Sequence, residues 1–252
     1  RDTITSIAGL KTFTGKVVNV LNYHEGIEGG GGVFYWDDTK DKAEHNGGTV
    51  IDPLKVFPSD WSNQTGAGEA VETWFTAGTG TGCWVRTTAG TITPHSFGAI
   101  EKSTPQEIPI EQFFNWAGVQ GNLYDMAHNG DYFVSRGVRI ESCSGAKFRS
   151  DSLLIVRPVT GQYIDEAGIR LYSCDNGHWG YLAARGDSSG GQFRNGIVGT
   201  RIRRGKFAGF GATQCRLFGS VITSEPVGDE IATSPNNNNG TIVDKIDASY
   251  CG

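Results

Sequence analysis

Two seven-residue stretches carry one pattern at an offset of 31 residues: Gly137, Val138, Arg139, Ile140, Glu141, Ser142, Cys143, and then Gly168, Ile169, Arg170, Leu171, Tyr172, Ser173, Cys174. A degenerate third copy begins at Gly196, Ile197, Val198, Gly199. After each glycine, aliphatic and polar residues alternate, which points one side chain inward and the next outward along an extended strand. Strands that recur at a fixed offset read as coils of a solenoid, each burying its apolar side on the next. An offset of 31 is long for a bare coil and calls for a loop insertion. In register, Ile140 falls beside Leu171 in adjacent layers. Cys143 and Cys174 then stack as small buried hydrophobes, with no disulfide required.

The rest of the chain agrees with a β protein. Its 252 residues include 37 glycines, eight prolines and one methionine, with no long helix-forming stretch. Short β-prone runs at Lys16 to Leu21, Gly32 to Trp36, Gly48 to Ile51 and Gly82 to Arg86 are bounded by turn residues, as in a small sheet. The run Gly29 to Gly32 lacks the spacing and following helix of a phosphate-binding loop, and is expected to be a flexible lead-in to a hairpin. One helix is expected near 108–117, with Pro109 in its first turn, Ile110, Phe113, Phe114 and Ala117 on one stripe, and Gly118 as its stop. Residues 1–95 therefore form a β-rich head domain and 96–252 the start of a solenoid with that helix as its cap. Ser234, Pro235, four asparagines and Gly240 form a loop, a strand resumes over Thr241 to Ile246, and no capping pattern precedes Gly252, so the chain is expected to be a piece of a longer one.

The net charge of −5 conceals an asymmetry: residues 1–130 hold 8 Lys/Arg against 15 Asp/Glu, residues 131–216 hold 13 against 7, and residues 217–252 hold 1 against 5. A basic middle between acidic flanks suits an anionic partner. The five cysteines, Cys83, Cys143, Cys174, Cys215 and Cys251, have no CxxC pair or histidine cluster, so no metal site and no cofactor is expected and the thiols are read as free. No apolar run reaches the roughly 20 residues of a membrane span and no leader-type N-terminus is evident, which predicts folding in a reducing cytoplasm without membrane insertion.

The order of features resembles a known family. Val17, Val18, Asn19, Val20, Tyr23, the glycine run, Phe34, Trp36 and Asp37, followed by Asn46, Gly47, Gly48, Thr49, Val50 and Ile51, resemble the module ahead of the β-helix in tailspikes of tailed phages. Cys83 to Arg86, and Phe97, Gly98, Ala99, are similar to that family's approach to the helix. Ile100 to Pro105 depart from the acidic Gly-Asp-Gly stretch of many relatives. The resemblance implies a mainly β fold, with a head followed by the first coils of a right-handed parallel β-helix. It also implies a homotrimeric virion protein that is assembled in the bacterial host cytoplasm. This protein would be joined to other tail or baseplate proteins and attached to bacterial surface polysaccharide, with glycan-depolymerising activity in the full-length spike. The alternative reading is that this chain alone is a glycan-cleaving enzyme, a glycoside hydrolase or polysaccharide lyase.

Glycoside hydrolysis by the usual route needs two carboxyl groups, which a β-helix draws from different rungs. Asp165 and Glu166, and Asp187, flanked by glycine and aromatic residues, are the catalytic candidates. Trp179 and Tyr181, with Trp61 and Trp74, have faces suited to sugar rings. Arg201 and Arg203 belong to the densest basic cluster, where a strand would place both on one face with Ile202 inward. That cluster lacks the extended basic surface of a nucleic-acid binder. Gly186, Asp187, Ser188, Ser189, Gly190, Gly191 has one serine too many for a serine-protease nucleophile loop and reads as a turn between rungs.

Overall fold

In a computed structural model, residues 2–62, 71–101, 104–120, 123–187, 189–223 and 242–249 are described. The 234–240 loop, Ser188 and Cys251 lie outside them. The chain divides into two compact units, Arg1–Ile100 with Ile108–Phe113, and Glu101–Glu107 with Phe114–Gly252.

The first unit is built on one sheet of β1 (Asp2–Ser6), β2 (Val17–His24), β3 (Ile27–Asp41), β4 (Val50–Ile51) and β5 (Thr81–Arg86), in the order β1-β2-β3-β5-β4, with a short helix α1 (Val71–Trp74). β1 runs parallel to β2, and the remaining pairs are antiparallel. Val18, Val20, Phe34 and Trp84 are buried. An aromatic cluster packs edge to face, with Trp61 5.6 Å from Tyr23 and 4.6 Å from His24. Trp61 and Trp74 are thus core residues, 7% and 3% exposed, and not open to a sugar.

The glycine run is not a flexible lead-in. The β2–β3 turn comes earlier, at Gly26, and Gly29 to Gly32 lie inside the 15-residue strand β3. A Cβ at Gly30 would strike the His95 carbonyl, and one at Gly32 would strike the Arg86 guanidinium. The glycines let Arg86 lie against the backbone. Its Nη2 donates to Gly30 O at 2.8 Å, its Nη1 to Gly31 O and its Nε to Gly48 O at 3.0 Å, with the guanidinium 4.6 Å above the Phe34 ring.

In the second unit, β6 (Gly130–Val134), β8 (Leu153–Pro158), β10 (His178–Arg185), β12 (Lys206–Thr213) and the short β14 (Ile242–Val243) and β15 (Ile246–Ser249) form one parallel sheet. β7 (Val138–Glu141), β9 (Tyr163–Tyr172), β11 (Gln192–Thr200) and β13 (Cys215–Thr223) form the other. From β6 to β14 successive strands alternate between the sheets, so each coil lays one strand on each: a parallel β-helix. The repeat offset is the pairing register. Val138 lies opposite Ile169 and Ile140 opposite Leu171, 31 residues apart, while Ile169 lies opposite Ile197. All five of these aliphatic side chains are buried. Cys143 and Cys174 are buried free thiols, as expected of small hydrophobes, and burial pushes the Cys174 thiol up to about 12.

The helix α2 runs Glu107–Gln120, so Pro109 falls within its first turn, where a missing N–H costs nothing. It continues past Gly118, which is a point of close approach and not a stop: a Cβ there would press on Cys143 Cα. Glu107 accepts hydrogen bonds from Ser135 Oγ (2.5 Å) and Ser135 N (3.3 Å), tying the first turn to the strand end after β6. Phe114 begins an aromatic column, stacking on Trp179 at 5.7 Å, which in turn stacks on Phe207 at 5.5 Å.

The coils turn through a ladder of left-handed corners. Glu141, Tyr172 and Thr200 are register partners, and the residue after each, Ser142, Ser173 and Arg201, has φ near +54° (54°, 52° and 54°). Side chains there cost about 1–2 kcal/mol that glycine avoids, offset in part by glycine's greater unfolded entropy. Ser173→Gly is therefore expected to stabilise the β-helix by up to about 1 kcal/mol. An unchanged or lower urea midpoint would contradict this.

Candidate functional face

The outer face of β7, β9 and β11 gathers the polar residues that the repeat turns outward. Arg139 lies directly opposite Arg170 on the neighbouring strand. Arg139 Nη2 pairs with Glu166 Oε2 at 3.2 Å. Two residues along from Arg170, Tyr172 accepts a hydrogen bond on its phenolic oxygen from Arg201 Nη1 at 2.8 Å, with the guanidinium 5.5 Å from the ring. At the other end of β9, Arg216 sits 5.3 Å over Tyr163, whose O–H donates to Asp165 Oδ1 at 3.0 Å.

Asp165 and Glu166 reach this face through a β-bulge. Ile164 pairs with Phe193 and Ala167 with Asn195, so two residues of β9 stand against Arg194 alone. Ile164 and Ala167 are buried while Asp165 and Glu166 face out, consecutive on one surface where strict alternation would separate them. Asp165 lies 4.0 Å from Arg194 Nε and its side chain is 72% exposed. The pair lacks an apolar enclosure, and each carboxyl has an arginine beside it on the open outer face.

The other candidates fall elsewhere. Asp187 closes a tight turn between β10 and β11, its Oδ1 accepting from Ser189 N (2.7 Å) and Gly191 N (3.0 Å), so that motif is a turn between rungs. Trp179 is 2% exposed in the aromatic column and offers no face to a sugar. Its ring is held inside by the register partner Phe207, which stacks on it, while its indole N–H meets no acceptor among the described residues. Tyr181 is half-buried on the opposite sheet. Its ring lies over Gly209 and Gly211, where a Cβ would collide with it, and its O–H donates to Asp247 Oδ2 at 2.7 Å. Burial, and then Asp247, push this phenol up to about 12.

Arg201 and Arg203 do not share a strand face. β11 ends at Thr200, Arg201 and Arg204 are left-handed, and the segment is a corner, although Ile202 does point inward and is fully buried. Arg203 N donates to Asp175 Oδ1 at 2.9 Å across the rungs. Arg139, Arg170 and Tyr172 were not singled out from sequence, yet the repeat itself carries the signal, since Arg139 and Arg170 occupy its same position. Among the described residues no group of three or more His, Cys, Asp or Glu is placed to hold a metal ion.

The chain is similar to the full-length tailspike protein 2 of Escherichia coli O157:H7 bacteriophage CAB120, with 13% identity and a TM-score of 0.39 over 99% of this chain and 36% of that one. It is similar to tailspike protein gp49 of Acinetobacter baumannii bacteriophage Fri1, a capsular polysaccharide depolymerase, with 12% identity and a TM-score of 0.41 over 99% of this chain and 53% of that one. It is also similar to Pantoea stewartii WceF, a glycan biofilm modifying enzyme with a tailspike-like parallel β-helix fold, with 11% identity and a TM-score of 0.40 over 99% of this chain and 42% of that one. The chain thus spans between 36% and 53% of the length of these proteins. A comparison with curated protein sequences gave no match. Residues 3–89 match the family described as the phage tail protein small four-stranded β-sheet domain, and the strands that follow in sequence form a parallel β-helix.

Proposed function

We propose that this chain is the N-terminal portion of a phage tailspike, a component of the virion tail that attaches the particle to bacterial surface polysaccharide. The observation that carries this reading is the order of parts: a phage tail β-sheet domain at residues 3–89, then a parallel β-helix whose outer face presents Arg139, Arg170, Tyr172 and Arg201. The head joins other tail or baseplate proteins, the chain associates as a homotrimer, and assembly takes place in the host cytoplasm. Glycan-depolymerising activity belongs to the longer protein. Among the described residues, Glu166 pairs with Arg139, and Asp165 with Arg194 and the Tyr163 phenol, an arrangement that supports binding over the paired carboxyls of glycoside hydrolysis.

The test uses the chain with purified capsule or O-antigen from candidate hosts, measuring retention on immobilised glycan and the release of new reducing ends. Retention without release is expected. Release beside retention would move the catalytic site into this chain, making it an enzyme by itself, and the absence of both across a host panel would overturn the reading. Light scattering is expected to give three times the 27.1 kDa of one chain, and a monomer at micromolar concentration would overturn the trimer.

A further inference from the structure

We propose that Arg139, Arg170, Tyr172 and Arg201 form a subsite for an acidic polysaccharide, one bearing a carboxylate on its pyranose ring. This rests on the reading that the β-helix binds surface glycan, and specifies its chemistry.

The argument begins with an arrangement that folding does not favour. Arg139 and Arg170 are direct register partners on adjacent parallel strands, both outside the core. Paired strands lie about 4.8 Å apart, and like charges directly opposite each other destabilise a sheet. Glu166 binds Arg139. Arg170 has no acidic partner among the described residues, and the next position on its ladder is Val198. A second cost adjoins the first, because Arg201 occupies a left-handed corner, where serine stands in the two preceding rungs. An unneutralised guanidinium and a strained arginine in one patch are the pattern of residues kept for a ligand at the expense of stability.

The geometry matches a carboxylate. A guanidinium presents parallel N–H donors that fit both oxygens of a carboxylate, and Arg170 has that fork available. Tyr172, on the same side of β9, takes a hydrogen bond from Arg201 on its oxygen, which leaves its own O–H to donate toward a sugar oxygen. One carboxylate at Arg170 would neutralise the surplus charge of the ladder, so binding relieves the repulsion.

The experiment compares the full chain with Arg170→Gln, using polygalacturonate oligosaccharides as the acidic probe and dextran oligosaccharides as the neutral one, at low and high salt. The wild type is expected to bind polygalacturonate, to weaken as salt rises, and not to bind dextran. Arg170→Gln is expected to lose about tenfold in affinity for the acidic probe, the size of one charge-assisted contact, while its melting temperature stays level or rises. A melting temperature lowered by the substitution would assign Arg170 a structural role and overturn the proposal, as would equal binding of both probes, or acidic binding unchanged by the variant. If the chain retains a neutral host glycan but not polygalacturonate, this inference fails and the attachment reading stands. If it retains no glycan at all, both fail.

Discussion

Arg86→Met is expected to destabilise the head unit by about 3–5 kcal/mol, the size of loss seen when one partner of a buried charged contact is removed. Arg86 is 4% exposed and pairs with no carboxylate among the described residues; its charge is spread over the carbonyls of Gly30, Gly31, Gly48 and Ser96. Burial pulls the guanidinium down to about 10, well above neutrality, so it remains a cation at physiological pH. Methionine fills much of the volume but removes the guanidinium donors from the carbonyls of Gly30, Gly31, Gly48 and Ser96, and a buried carbonyl left unpaired costs about 1–3 kcal/mol. Relief of the arginine's own desolvation returns part of that. Arg86→Lys keeps the charge, yet a single ammonium cannot span carbonyls on β3 and in the Gly47–Gly48 turn, so most of the loss should persist. Urea unfolding followed by tryptophan fluorescence reports on Trp61, Trp74 and Trp84 in this unit. A midpoint within experimental scatter of wild type for Arg86→Met would mean the clamp contributes little.

Acid is expected to weaken the β-helix through His128. This residue is 0% exposed among Phe114, Phe148 and Trp179, and its Nε2 accepts from Gly180 N at 3.0 Å, so the ring is neutral with its proton on Nδ1. Burial holds its pKa down at about 4, against 6.5 for an exposed histidine. The unfolded chain therefore binds the extra proton first. The stabilisation is complete above pH 6.5 and is lost as the pH falls toward 4, amounting to about 2.5 kcal/mol by pH 4.5. His128→Gln, whose amide oxygen can take the Gly180 hydrogen bond, should remove that part of the pH dependence while other groups contribute alike to both proteins. Denaturant unfolding of each at pH 7.5 and 4.5 measures the difference. Parallel stability–pH curves for the two would refute the assignment.

The coils were legible in the chain because alternation and glycine position are local properties. Val138, Arg139 and Ile140 repeat as Ile169, Arg170 and Leu171, and stacking identical coils turns that offset directly into register. The stripe of Ile110, Phe113, Phe114 and Ala117 likewise marked α2, because a helix shows its period within a few turns. Its end was misread, since Gly118 answers to the approach of Cys143, which no pattern within the helix contains.

The remaining features depend on residues distant along the chain. Arg86 and Gly31 are 55 positions apart, and nothing local in either tells a clamp from a turn. Trp179 and Tyr181 look alike in sequence and have the same parity on β10. A stack between Phe114 and Phe207 draws the first inward, while the second lies over Gly209 and Gly211. A bulge opposite Arg194 sets Asp165 and Glu166 on one surface, against the alternation of their strand. Periodicity determined the solenoid and its register. Which side chains meet on its outer face was decided by corners, bulges and close approaches, because those follow from how coils stack in three dimensions.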